Sequence, residues 1–209
     1  MEFWKRLARL SPDELDIIRE VASIGSGHSA TALSDMLGKT IQIKIPSVRI
    51  VPMESVAYTL LNETTLQETV AGIFMETTKE AYFETIVFLN QQSIGKLLQS
   101  FFSSDVDLYN LSEEEESAIG EIANILHLHF VSALGSFLDG TITPSNSPLL
   151  VIDLAEAIIN AVLMRSGDDI PSFLVIENLL FADREECSVH SLVLFSESLL
   201  QQLLDSISS

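Results

Sequence analysis

Cysteine is almost missing from this 209-residue chain. Cys187 stands alone, so no internal disulfide can form, a metal site built on cysteines is argued against, and the residue defaults to a buried or partly buried apolar role. Cationic side chains are scarce as well. Eleven Lys and Arg against thirty Asp and Glu leave a net charge of −19, which argues against nucleic acid and anionic membrane surfaces, both of which reward basic residues. Free phosphorylated metabolites are poor partners for the same reason. The charge reads as solubility through self-repulsion, and it leaves a protein partner open. No charge-free run reaches the roughly 18 to 20 residues that a membrane span requires. The opening Met1 to Arg6 does not have the form of a signal peptide, and the expectation is a soluble, cytoplasmic protein.

What the chain does contain is an internal echo. Shifting the sequence by 101 positions pairs Leu10 with Leu111, Ser11 with Ser112, Glu14 with Glu115, Ile18 with Ile119, Glu20 with Glu121, His28 with His129, Leu33 with Leu134 and Thr40 with Thr141. Agreement at this density predicts a duplication, with repeats at about 10–102 and 111–207 joined in one domain spanning 1–209. Each repeat opens on the same start signal. Ser11 and Ser112 can each cap free N–H groups, with Glu14 and Glu115 three residues on to close a capping box, and Pro12 suits a first helical position. The run Glu113 to Glu116 reads as carboxylates favoured by the helix dipole. Helices are predicted to run from these caps to about Leu37 and Leu138, with Gly38 and Asp139-Gly140 as stops.

At 100° per residue, Ile119, Ile122, Leu126, Phe130, Ala133 and Phe137 share one side of the second helix and predict its core face. Ser117, Glu121 and Asn124 project from the opposite side, and Asp16, Glu20 and Ser23 hold the matching places in the first helix. Both polar stripes should be accessible. Strands are expected at Lys39 to Ile45, ending before Pro46, and at Val56 to Leu61, Val70 to Met75 and Tyr82 to Leu89. A short helix should follow from Gln91 to Phe102. The second half predicts a strand at Leu149 to Ile152, a helix at Ala155 to Arg165, an antiparallel pair at Phe173 to Ile176 and Val189 to Phe195, and a closing helix from Ser196 to Ile207. Phe3, Trp4, Leu7 and Leu10 at helical spacing suggest packing or a dimer contact at the start. The expected class is α+β, a continuous and mostly antiparallel sheet packed with two long motif-bearing helices and related by a pseudo-two-fold.

His28, His127, His129 and His190 lack metal-ligand spacing and read as structural or surface residues. Ser26, Ser29 and Ser132 have no local base for nucleophilic catalysis. Gly25-Ser26-Gly27 falls within a helix and reads as close helix packing, not as a phosphate loop.

The string Ser117-x3-Glu121-x2-Asn124 resembles the signature of the CheC, CheX and FliY chemotaxis phosphatases: Asp or Ser, three residues, Glu, two residues, Asn, then 22 residues and Pro. The first half carries Asp16-x3-Glu20-x2-Ser23 with Pro46 after 22 residues, a frame kept while the asparagine is lost. In the second half Pro148 follows after 23. The length and the two motifs suit the CheC branch. The resemblance implies a phosphatase acting on the aspartyl phosphate of the response regulator CheY, with Asn124 aligning the attacking water and Glu121 docking against the regulator's active-site lysine. Ser117 and Pro148 would support the site, and the first motif would be degenerate. No cofactor of its own is implied, since the regulator holds the Mg²⁺. Asp153, in Leu-Val-Ile-Asp-Leu, is similar to the residue by which CheC proteins engage CheD, and equally suits a strand-to-helix cap. A rival reading on the same resemblance is a non-catalytic module that sequesters the regulator or CheD, or a flagellar-switch-like adaptor.

Overall fold

The computed structural model describes residues 10–52, 55, 67–78, 83–99, 101–102, 106–145, 147–166, 172–182, 185–195 and 197–207. The chain order is α1 (Pro12–Leu37), β1 (Ile41–Pro52), β2 (Thr69–Glu76), β3 (Phe83–Asn90), α2 (Gln91–Leu98), α3 (Glu113–Phe137), β4 (Leu149–Leu154), α4 (Ala155–Ser166), β5 (Ser172–Ala182), β6 (Glu185–Phe195) and α5 (Glu197–Ile207). The expected strand at Val56 to Leu61 and the apolar residues Phe3, Trp4 and Leu7 lie outside the described residues.

Both long helices start where the capping chemistry places them. Ser11 and Ser112 adopt extended backbone and accept from the N–H groups of Glu14 and Glu115, whose carboxylates accept in return from the N-cap N–H groups. α1 stops at Gly38, whose left-handed φ of 62° suits a residue without Cβ. α3 stops one residue earlier than expected, and the left-handed turn is made by Asp139 (φ 50°), not by Gly140. Asp and Asn tolerate this conformation better than other residues that carry a Cβ.

The six strands form one antiparallel sheet in the order β1-β5-β6-β3-β2-β4. Exchanging β1 with β4, β2 with β5 and β3 with β6 returns the same order read from the other edge. Alternation along β2 sorts its side chains. Ala71, Ile73 and Met75 face the layer of α1, α2 and α3, while Val70 and Phe74 face α4, as Ile86 and Phe88 of β3 do. β3 is buried along its length except at Asn90. α5 joins the layer of long helices, where Leu199, Leu203 and Leu204 pack with Ile18 and Val21. Among the described residues, the sheet thus lies between a helical layer carrying both motifs and helix α4.

Several sequence boundaries move. β1 continues through Pro46 to Pro52, because the ladder with β5 shifts register between Lys44 and Ser47 and so accommodates a residue with no N–H. β1 is also an edge strand, where proline is tolerated. The β5/β6 hairpin is longer than the expected pair, since the polar Glu177 and Asn178 lie within the ladder. α2 ends at Leu98, before Phe101 and Phe102. The buried face of α3 is broader than one stripe: Ala123, Ile125, Val131 and Leu134 are buried with Ile119, Ile122 and Leu126, whereas Phe130, Ala133 and Phe137 are half-buried. α3 packs on the sheet and on α1 together, and two contacts demand two stripes.

Candidate functional site

The crossing of α1 and α3 sets the geometry of both polar stripes. A Cβ built on Gly25 would lie 3.0 Å from the carbonyl oxygen of His129 and from Cα of Phe130, so the absence of a side chain there permits the helices to touch backbone to backbone. At Gly27 no described residue outside its own stretch of helix lies within 4 Å of such an atom. The helix-packing expectation therefore holds for Gly25 and is corrected for Gly27, which faces outward.

On α3, Ser117 and Glu121 are exposed and Asn124 is half-buried. The Asn124 amide donates through Nδ2 to Oε2 of Glu121 at 3.3 Å. One helical turn brings the carboxylate and the amide together, as their i, i+3 spacing requires. Pro148 packs over the same helix, its Cβ 3.9 Å from where a Cβ on Gly120 would lie, directly beside Glu121. Leu128, one turn beyond Asn124, is 37% exposed. His127 instead turns inward and is buried, which removes it from the surface around Asn124.

The matching stripe on α1 is arranged differently. Asp16 pairs with Arg19 on the surface. The Ser23 hydroxyl donates to the Arg19 carbonyl at 2.7 Å, a back-bond that turns its proton onto its own helix. Glu20 is exposed and stands at an open groove of about 380 Å³ lined also by Ile17, Val21, Ile24, His28 and Phe137. Ile24 is 48% exposed, whereas its counterpart Ile125 is 9% exposed. The two stripes therefore share a frame and differ in surface chemistry.

Asp153 is exposed at the end of β4, with Oδ1 accepting from the N–H of Leu154 at 2.7 Å. The contact is a local one at the strand-to-helix junction. His28 and His129 meet edge-on across the helix crossing with ring centroids 5.9 Å apart. Partial burial and the charge of His28 lower the pKa of His129. Burial lowers that of His190, with Glu177 opposing and Arg49 assisting, and drives that of His127 down to about 4. Among the described residues no three His, Cys, Asp or Glu side chains come together as a metal site would need. Cys187 is buried at the β5/β6 hairpin, in keeping with its expected apolar role. α3 is long and apolar enough to cross a membrane by length and composition, yet 56% of its most apolar window is buried inside the protein. It is a core helix by packing.

Sequence reasoning located the residues of both stripes, and it missed three features. They are the direct Glu121–Asn124 contact, the groove beside Glu20, and an internal polar cavity beneath His127. The first was open to inspection in the i, i+3 spacing. The others depend on partners far away in sequence.

Three comparisons bear on this arrangement. The fold is that of solved FliY and FliM structures. A FliY structure from Thermotoga maritima matches with a TM-score of 0.71 at 20% identity, covering 95% of this chain and 98% of that one. A FliM middle domain from Vibrio alginolyticus matches at 0.62 and 15% identity, covering 92% and 99%. In sequence, the family model described as the CheC-like family matches residues 14–50. The CheY-P phosphatase CheC of Bacillus subtilis (strain 168) is 26% identical over 193 residues, 88% of this chain and 89% of that protein. The chain is thus similar in sequence to CheC and in fold to FliY and FliM.

Proposed function

We propose that the protein hydrolyses the aspartyl phosphate of a CheY-type response regulator through the Glu121–Asn124 pair. The observation that carries this reading is the placement of that pair: a carboxylate and a carboxamide in contact, side by side on the outer side of a core helix. The CheC relative, named for action on CheY-P, supports the substrate class.

An aspartyl phosphate is already activated, and its regulator supplies the Mg²⁺ and a lysine that neutralise charge as the bond breaks. What such a centre lacks is a positioned water. A carboxamide both accepts and donates, so Asn124 can hold a water with its lone pair aimed at phosphorus. Attack forms the new P–O bond, the aspartate oxygen leaves as carboxylate, and the products are inorganic phosphate and the free regulator. In the unbound protein Nδ2 of Asn124 is engaged by Glu121. When Glu121 turns to the regulator's lysine, that donor is released at the moment it is needed. The contact is long and exposed, and its loss costs little. Neither a metal nor an organic cofactor of the chain's own takes part, and the reaction belongs in the cytoplasm with the regulator.

Acidic character is no obstacle, because the site approaches a pocket lined by metal and lysine and not a bare anion. Ser23 cannot substitute for Asn124, since it is shorter and its hydroxyl is committed to Arg19. The first stripe serves docking through Glu20 or structure alone. That same asymmetry favours one second reading, a binding module that sequesters the phosphorylated regulator. CheD, engaged at the exposed Asp153, is a further partner under either reading.

The test is phosphate release from a phosphorylated cognate receiver, with wild type, Asn124→Ala and Ser23→Asn. Wild type should accelerate release. Asn124→Ala should abolish at least about 10²-fold of that acceleration while the protein stays folded, since its side-chain hydrogen bond is to the exposed Glu121. An unchanged rate in folded Asn124→Ala rejects the assignment. No acceleration by wild type, with retained binding, selects the sequestering module.

A further inference from the structure

Beneath the crossing of α1 and α3, against β3 and β6, lies a cavity of about 20 Å³. Its polar lining comes from Ser26 and Ser29 of α1, His127 of α3, Thr85 of β3 and Ser191 of β6. His127 is 2% exposed and Thr85 4%. Among the described residues, neither ring nitrogen of His127 has a hydrogen-bond partner, and neither does Oγ1 of Thr85. Ser29, by contrast, donates to the carbonyl of Gly25 at 2.9 Å. The 101-residue shift pairs His127 with Ser26, so one cavity is lined by equivalent positions of both halves.

Leaving buried donors and acceptors unpaired is costly, about 1–3 kcal/mol for each. An apolar pocket stays dry, but a pocket of roughly 10–15 Å³ or more with two to four polar neighbours holds a water. The size here admits one such molecule and nothing larger. Burial keeps His127 neutral, with a pKa near 4, so one of its nitrogens donates and the other accepts. A single solvent molecule can therefore complete a bridge between a ring nitrogen and the Thr85 hydroxyl.

We infer that this cavity is a binding site for one ordered water, which joins His127 to Thr85 and thereby ties the motif helix α3 to the central strand β3. His127 is one turn from Asn124, so the bridge fixes the depth and rotation of the helix that presents the Glu121–Asn124 pair. The site stands on packing and polarity alone and does not require the phosphatase reading. Every described group around it is neutral: three serines, a threonine and the imidazole, with apolar neighbours from both helices and the sheet.

A crystal structure at a resolution that shows buried solvent tests it directly. The expected result is a single density peak about 2.7–3.2 Å from Oγ1 of Thr85 and from one nitrogen of His127. In solution, water should show nuclear Overhauser contacts to the Thr85 methyl and the His127 ring protons, with the long residence of an internal molecule. Thr85→Val, which keeps the shape and removes the hydroxyl, should abolish or displace the peak and weaken those contacts. An empty cavity in a map that shows other internal waters overturns the inference. So does a His127 ring turned to bond a protein group directly, or a peak unaffected by Thr85→Val. If Thr85→Val does not fold, the wild-type map and the wild-type Overhauser contacts decide the question by themselves.

Discussion

Gly25 and Gly27 lie two residues apart on α1, and the structure assigns opposite signs to the same substitution at each. Replacing glycine by alanine inside a helix restricts the unfolded chain and favours the fold by roughly 0.5–1 kcal/mol. That term is common to both positions. At Gly27 the added methyl meets no described residue within 4 Å outside its own stretch of helix, and Gly27→Ala should be stabilising by about that amount. At Gly25 the methyl would sit 3.0 Å from the His129 carbonyl oxygen and from Cα of Phe130. Both are backbone atoms, so no rotamer change relieves the contact and the two helices must separate by several tenths of an ångström. Overpacking of this kind costs about 1–3 kcal/mol. The difference between the variants cancels the propensity term and isolates the steric one. For a chain of this length, 1 kcal/mol moves Tm by about 2–4 °C, so a steric cost near 2 kcal/mol separates the two melting temperatures by about 4–8 °C. Calorimetry and urea titration with a shared m-value would measure it. Equal stabilisation by both substitutions would refute the backbone-to-backbone crossing, and with it the relative placement of the two stripes.

Three further outcomes follow from the same structure. The folded pKa of His127 is lowered to about 4 from its ordinary 6.5, so the unfolded chain binds the extra proton first as pH falls. The stability of the neutral, buried form is present in full above pH 6.5 and is lost as pH falls toward 4, by about 3 kcal/mol for the whole window. His127→Leu should flatten that part of a stability-against-pH curve, and an identical curve for the variant would refute the cause. Ser112→Ala removes the acceptor for the Glu115 N–H and one partner of the buried Glu115 carboxylate; a loss of about 1 kcal/mol is expected, read as a lower urea midpoint. Cys187, 1% exposed, should react with a thiol reagent only at the rate of unfolding in native buffer and promptly in denaturant, and fast native labelling would contradict its burial.

The legible parts of this chain were those written locally. Ser11 with Glu14, and Ser112 with Glu115, announced both helix starts because a capping box is complete within four residues. The i, i+3 spacing of Glu121 and Asn124 is legible for the same reason, although it does not by itself announce their hydrogen bond. Pro46 normally ends a strand, and only the register shift against β5, 130 residues away in the Ser47–Glu177 contact, shows how the ladder absorbs it and β1 runs on. The second buried stripe of α3 is hidden from the sequence, because periodicity shows that a helix has an apolar side and not how many neighbours it serves. His127 carried no sign of its inward turn, since its environment is supplied by Thr85, Phe83 and α1. The Ile24 exposure was hidden for the opposite reason: its counterpart Ile125 is buried, and equal letters predict equal surroundings.

The strand order has a consequence for what could exist as a separate piece. β1 is parted from β2 and β3 by β5 and β6, while β4 lies against β2 at the far edge, away from β5 and β6. Each half lends its leading ribbon to the hairpin of the other, as two hands clasp with thumbs crossed. Severed in the link before Ser112, neither fragment would retain a complete set of neighbours for its own strands, and native structure would return only when both were mixed. Two copies of a half-length chain could in principle make the same clasp by exchange, and joining them in tandem would free each partner to change its surface without losing the other.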